Sequence, residues 1–449
     1  MNKGGVGVPT AAFYTLGCKV NQYESEAMMD LFVDRGYEII DFSKKADVYI
    51  INSCTVTNQA ASKTRKYARR AYRRNPESVV AVVGCYPQVS PGEVAEIDEV
   101  DLTIGTDNKK EIVDIIESNL KQDRSVESVI TPYEELKEYE DLQLREVRET
   151  TRANIKIQEG CNQFCSFCII PYARGPLRSR AQDSVLKEVL RLGQAGVREV
   201  ILTGIHLGAY GMERNQEGEL EELLSRLLSS DYEGRIRLSS IEVTEVSDQL
   251  LNLLGHDKVC SHLHLPLQSG SNSILEAMNR PYTSEFFKNR VKEIKKIIPD
   301  IAITTDVIVG FPGETENDFQ KTKQLIEQVG FSRMHVFTFS AREGTPAADM
   351  SDQVASRTKN SRSQKLRRIN KRLRKQFQQK LINRTQEILV EEKRDPKTGL
   401  LNGLTGNYVR ILAEGEDSLK GRLLEVKIQE QFDFQKMKGI IVKKKDFTN

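Results

Sequence analysis

Short apolar runs alternate with amphipathic helical patterns through most of the chain, and this alternation limits the fold more than any other feature. In residues 10–122, Ala11–Leu16, Val48–Ile51 and Val79–Val83 read as buried strands, with Asp101–Gly105 as another. Glu24–Arg35, Ala60–Arg74 and Lys110–Leu120 read as helices between them. Strand–helix alternation of this kind predicts a parallel sheet covered by helices. Residues 150–345 repeat it about six times, with strands at Ile155–Gln158, Val200–Leu202, Ile236–Ile241, His262–Leu267, Ile303–Val309 and Met334–Phe339. Val185–Gly193, Leu220–Leu228 and Ser284–Ile297 are helical patterns between them. Six such units predict a parallel barrel or an open part of one.

Between these regions, residues 123–149 carry the acidic, polar run Thr131–Glu149 and read as a linker. Residues 357–384 contain no Asp or Glu and read as a basic, solvated helix. Beyond them, Ile388–Glu391, Tyr408–Leu412 and Leu423–Ile428 are short strands with Gly-rich turns, suiting a small β-barrel. The predicted fold class is α/β: a parallel α/β domain at 10–122, a partial (β/α)6 barrel with a basic helical tail at 150–380, and a small β-barrel at 381–446.

The 449 residues suggest about three domains at roughly 150 residues each. A net charge of +2 selects no partner by itself. Seven cysteines in so long a chain do not resemble a compact secreted disulfide scaffold. No run approaches the ~18 apolar residues of a membrane-spanning helix. Met1–Gly17 is a poor secretory signal, with one early charge at Lys3 and its apolar run broken by Gly5, Gly7 and Pro9. A cytoplasmic location is expected, with thiols reduced and free to bind metal.

Cys161, Cys165 and Cys168 stand on one loop just after the first barrel strand. Three thiolates can hold three irons of a 4Fe–4S cluster and leave the fourth open to a small molecule. Structural zinc usually takes four ligands, and the nearby sequence offers no fourth. Cys18, Cys54 and Cys85 each follow an apolar strand, in FYTLGC, VYIINSC and VVAVVGC. Ligand sites form at the carboxyl ends of parallel strands, so these three are expected to converge on a second cluster. Cys260 reads as structural. His206, His256, His262, His264 and His335 show no metal-binding spacing. His262 and His264 should share one strand face, and satisfied core histidines are the expectation.

The helix Lys63–Arg74 interleaves Arg69, Arg70 and Arg73 with Tyr67 and Tyr72. It is either a solvated face or an RNA contact, since phosphates reward cations and unstacked bases reward aromatics. Arg174, Arg178 and Arg180 add charge after the cluster loop.

The Cys161–Cys168 spacing resembles the radical S-adenosylmethionine (SAM) superfamily. The resemblance implies that Phe167 lies against the adenine and that Leu202-Thr-Gly204 offers backbone contacts to the SAM amino group. Val309 and Gly310, in Val307-Ile-Val-Gly310-Phe-Pro-Gly313, match the adenine-contacting strand. Ser240, Glu242 and Gln268 stand at strand ends where polar groups reach SAM or substrate.

With the dispersed cysteines and the terminal barrel, nearly the whole chain resembles the methylthiotransferase family. Its C-terminal module is the RNA-binding TRAM barrel, matched by Gly403-Leu-Thr405-Gly-Asn407-Tyr408-Val409, which implies RNA contacts at Asn407 and Tyr408. Leu16-Gly17-Cys18-Lys19-Val20-Asn21, Ile157-Gln-Glu-Gly-Cys161 and Gly175-Pro-Leu-Arg-Ser-Arg180 look like the MtaB type. That type adds a methylthio group to carbon 2 of N6-threonylcarbamoyladenosine at position 37 of transfer RNA. The resemblance implies two 4Fe–4S clusters, SAM as both methyl donor and radical source, and an electron donor such as flavodoxin or ferredoxin. Other branches act on isopentenyladenosine or on a ribosomal-protein aspartate, and a reading of another class is a non-catalytic iron–sulfur RNA-binding regulator.

Overall fold

In β3 (Val48–Ser53), Val48 and Ile50 join one buried apolar cluster while Tyr49 and Ile51 join another. Successive side chains of a strand point to opposite faces. A run apolar at every position therefore needs cover on both sides, as parallel sheets have. The computed structural model describes residues 8–56, 58–121, 127–145 and 151–444. The N-terminal extension and the two ends of the predicted linker lie largely outside the described residues. No described helix is long and apolar enough to cross a membrane.

The chain divides into two compact units. The first comprises Met1–Glu146, Gln158–Gln163 and Cys168–Arg180. Its sheet is fully parallel, in the order β2 (Glu38–Ile40), β1 (Thr10–Thr15), β3, β4 (Val79–Gly84), β5 (Leu102–Ile104), β6 (Glu127–Val129). Met28 and Phe32 of the helix Lys19–Asp34, with Ile112, Val113 and Ile116 of the helix Ile112–Lys121, cover one face. Ala68 and Ala71 of the helix Asn58–Arg74 cover the other.

The predicted linker departs from expectation. Residues 127–129 supply the sixth strand, and Leu136, Leu142 and Leu144 are buried in the first unit. The Leu142 carbonyl accepts from Tyr23, and Asp141 pairs with Arg180 at 2.6 Å. Acidic side chains outnumber the apolar anchors here, which hid the anchors in the sequence.

The second unit holds Val147–Ile157, Phe164–Phe167 and Ala181–Asn449. Strand β7 (Arg152–Glu159) adjoins β9 (Glu199–Gly204), which pairs in parallel with β10 (Arg235–Leu238). Its far end pairs with the two-residue β8 (Arg178–Ser179) within the first unit. Parallel bridges at Ile236–Val259 and Ser240–His264 continue toward β11 (His262–His264), followed by β12 (Ala302–Val309) and β13 (Arg333–Thr338). This is an open parallel barrel.

The basic helix Ser356–Gln379 is not solvated all round. Leu366, Ile369 and Leu373 are buried, and the Asn370 amide bonds both the N–H and the carbonyl of Met334, closing the β13 edge. Strands β14 (Thr385–Val390), β15 (Leu401–Thr405), β16 (Arg410–Ala413), β17 (Leu423–Gln431) and β18 (Lys436–Lys444) close into the expected small barrel.

Candidate active site

Strands β1, β3 and β4 lie side by side and run the same way, so Cys18, Cys54 and Cys85 emerge at neighbouring carboxyl ends. Two glycines make the approach possible. Gly17 has φ +113°, and a Cβ there would stand 3.0 Å from that of Cys54. Gly84 has φ +97°, and a Cβ there would meet Asn52 at 2.6 Å. Asn21 ties the strand ends together, its amide donating to the carbonyls of Leu16 (3.0 Å) and Ser53 (2.9 Å).

Cys85 is buried, and burial pushes its thiol up to about 12; Arg174 pulls against this, while Cys54 and Cys18 add to it. Among the described residues, no three His, Cys, Asp or Glu side chains already stand at metal-binding distance. The donor set fits an iron–sulfur cluster all the same: sulfur only, from three adjacent strand ends, with a buried cation behind one of them.

The loop of the other three thiols passes from the first unit into the second and back. In the first, the Cys161 N–H donates to the Gly175 carbonyl at 3.1 Å. Gly160 before it has φ +75°, and a Cβ there would overlap the Pro176 carbonyl at 1.8 Å. In the second unit, Ser166 donates to the carbonyls of Met278 (3.1 Å) and Ala277 (2.7 Å), and its carbonyl accepts from the Ala347 N–H at 2.8 Å. Cys165 is buried, with the Arg280 guanidinium donating to its sulfur at 3.2 Å. Arg280 also pairs with Glu242. Burial raises the Glu242 carboxyl above its ordinary range, against the pull of Arg280. The Phe167 ring packs edge-on to Phe311 at 6.5 Å, beside Ile308.

Through Arg280 and Phe311, Glu242 and the turn after β12 are therefore gathered around the tripeptide Cys165–Phe167. Gly204 ends β9, Ser240 bridges to His264, and Gln268 takes φ +59° beside Val307. The Gly310 turn shows two partners that sequence reasoning missed. Its N–H donates to the Glu314 carboxylate at 2.6 Å, which in turn is held by buried Arg362 at 2.6 Å.

Of the residues expected at an RNA contact, three are buried and a fourth is packed within the protein. Arg174 is fully buried, paired with Glu24 at 2.6 Å. Arg178 is buried and donates to the carbonyls of Glu138 and Arg174. Asn407 is buried and accepts from Thr405 at 2.6 Å. Half-buried Tyr408 packs between Arg237 and His262. Arginine suits RNA by residue type, but at Arg174 and Arg178 acidic and carbonyl partners within the protein absorb the charge. Arg69 and Arg73 are exposed, and Arg70 lies beside Tyr67. An aromatic pair that the sequence reading passed over is exposed on the β17–β18 turn: Phe432 (37%) and Phe434 (54%). Lys438 stands 4.9 Å from the first ring; Lys371 and Arg374 stand 5.7 and 5.9 Å from the second. Cys260 is buried, as expected of a structural residue.

An open parallel barrel with a three-cysteine loop after its first strand defines a radical SAM enzyme. Residues 155–326 match the radical SAM superfamily, and residues 10–105 match a family described as uncharacterized protein family UPF0004. The chain is 45% identical, over 93% of both chains, to the threonylcarbamoyladenosine tRNA methylthiotransferase MtaB of Bacillus subtilis. It is 35% identical, over 92% of this chain and 93% of the other, to the tRNA-2-methylthio-N(6)-dimethylallyladenosine synthase of Pelotomaculum thermopropionicum. The radical SAM methyltransferase TsrM of Kitasatospora setae shares the fold, at TM-score 0.59 and 14% identity over 76% of this chain and 75% of that one. The chain belongs to the methylthiotransferase family, in its MtaB type, and is a transferase.

Proposed function

We propose that this enzyme adds a methylthio group to carbon 2 of N6-threonylcarbamoyladenosine at position 37 of transfer RNA. The observation that carries the reading is the pair of cysteine triads, in a chain that matches an MtaB protein almost end to end. Cys161, Cys165 and Cys168 would hold one 4Fe–4S cluster, and Cys18, Cys54 and Cys85 another. When bound, the first with SAM supplies one-electron cleavage to a carbon radical, and the second supplies a sulfur carrier.

The chain's own residues do the positioning. Arg280 orients Cys165 and keeps Glu242 fixed, while Gly310 gives the backbone room to approach a ligand. Phe167, Gly204, Ser240, Glu242, Gln268, Val309 and Gly310 are proposed to line the SAM site. Phe167, backed by the buried Phe311 ring, presents aromatic surface suited to an adenine face. The target base must leave its stack to react. Arg69, Arg70 and Arg73, with the Phe432–Phe434 turn, are suited to grip the RNA. An external one-electron donor of the flavodoxin or ferredoxin kind completes the system, and a cytoplasmic setting fits such substrates.

The test is nucleoside mass spectrometry after anaerobic reconstitution with iron, sulfide, reductant and SAM. Transfer RNA bearing threonylcarbamoyladenosine should yield its 2-methylthio derivative. Product only from isopentenyladenosine would reassign the substrate. Deoxyadenosine without modified RNA would point to another acceptor such as ribosomal protein. Neither product would favour the non-catalytic RNA-binding regulator.

A further inference from the structure

Arg174 is the least explained charge in the first unit. Six residues after Cys168, it ends the short helix Ile170–Arg174 with no exposed surface. Its Nη1 donates to Glu24 at 2.6 Å and to Glu159 at 3.2 Å. Its Nη2 donates to Asn21 at 2.8 Å and to Glu24 at 3.2 Å. These bonds fix the plane of the guanidinium and leave Nε, which donates to the Cys85 sulfur at 3.1 Å. Lys109, also buried, stands 3.5 Å from Glu24, so the two carboxylates already face two cations. Charge balance alone does not require Nε to point at a sulfur. The aim comes from Asn21, the residue that also ties the ends of β1 and β3.

An N–H donated to a cluster thiolate withdraws charge from the sulfur and stabilises the more negative, reduced state, which raises the reduction potential. A guanidinium supplies this without losing its proton. We propose that Arg174 is a positioning residue of the Cys18/Cys54/Cys85 centre, where its Nε–H holds the Cys85 thiolate and makes the iron–sulfur group bound there easier to reduce. The inference rests on the reading that these three cysteines hold a cluster. It also gives the segment that closes the Cys161–Cys168 loop a direct hold on the other thiol set.

The test isolates one cluster in the full chain by changing Cys161, Cys165 and Cys168 together to Ala, which also removes the sulfur beside Arg280. The protein is made with guanidino-15N-arginine, reconstituted anaerobically with iron and sulfide, reduced, and examined by pulsed electron paramagnetic resonance. The expected result is a 15N coupling on the remaining cluster that disappears with Arg174→Lys. The same substitution should move the midpoint potential to more negative values. A cluster with no arginine nitrogen coupling overturns the inference and leaves the two-cluster reading standing. No cluster at all in that chain overturns the reading and the inference with it. The labelling needs no change at Arg174, so it decides even if Arg174→Lys fails to fold.

Discussion

The Arg237 guanidinium lies 4.1 Å from the centre of the Tyr408 ring. Tyr408 reaches this position through a φ of +64°, uncommon for a residue with a side chain. The His262 ring also packs against it, 4.5 Å away. A desolvated cation–π pair is worth about 2 kcal/mol. Tyr408→Ala should therefore lower the urea midpoint, with folded protein binding transfer RNA as tightly as before. Unchanged unfolding with weakened RNA binding would return Tyr408 to the RNA interface.

Phe432 and Phe434 should behave in the opposite way. Each stands beside lysine or arginine, and Phe434 is the more exposed of the two, so its truncation removes the less buried area. Base stacking on an aromatic is worth about 1–3 kcal/mol, or roughly fivefold to 150-fold in affinity. Phe434→Ala should weaken binding within that range, with the thermal midpoint little moved, and adding Phe432→Ala should weaken it further. Fluorescence anisotropy at fixed salt measures it, and equal affinities would remove this turn from the interface.

Glu199 supplies a pH dependence. Arg235 and Arg237 lie 2.6 and 2.9 Å from it, and they also donate to the carbonyls of Leu404 (2.7 Å) and Gly406 (2.6 Å). Burial by itself would raise the Glu199 carboxyl, but Arg237 and Arg235 outweigh it and hold it well below the usual range. A carboxylate with a depressed folded pKa contributes stability fully above its unfolded value, about 4.3 for Glu, and loses it as pH falls toward the folded value. Removing one partner of a buried pair costs about 3–5 kcal/mol. Glu199→Gln should lose much of that at pH 7, and the gap from the parent should narrow as pH drops below about 4. Urea melts at pH 7, 5 and 3 provide the comparison; a constant gap would contradict the ionised buried pair.

These residues also mark where the sequence was legible. β1, β3 and β4 were readable because they are apolar at nearly every position, the pattern of strands buried on both faces. Cys18, Cys54 and Cys85 could be set at neighbouring carboxyl ends because each follows such a strand. β2 and β6 are three-residue edge strands, and Glu38 and Glu127 made them look like loop. β18 (KMKGIIVKK) lay inside the expected barrel at 381–446 but was not singled out as a strand, its apolar run being short and flanked by lysines. Arg174 was misread because its partner Glu24 lies 150 residues away, and local composition cannot tell a compensated buried cation from a surface one.

Gly160 tests how tightly the cluster loop is held. An added methyl would overlap the Pro176 carbonyl, and φ +75° disfavours any side chain. Backbone cannot yield as a flexible side chain does, so Gly160→Ala should displace Cys161. The expected outcome is roughly half the iron per reconstituted chain, since the Cys18/Cys54/Cys85 set is untouched. Full iron content would mean that the loop relaxes without losing its thiol geometry.

Separate substitutions in the two triads test the division of labour. Cys161 stands on the loop after β7, and Cys54 at the end of β3. Three thiolates are the minimum that keeps one iron open for a small ligand, so losing one should disable that triad. Cys161→Ala should abolish SAM cleavage, read as loss of 5′-deoxyadenosine, and with it all modified nucleoside. Cys54→Ala should retain measurable deoxyadenosine and give no methylthio product. Modified nucleoside from Cys54→Ala would show that sulfur does not pass through the β1–β3–β4 thiols, and the N-terminal sheet would then need another role.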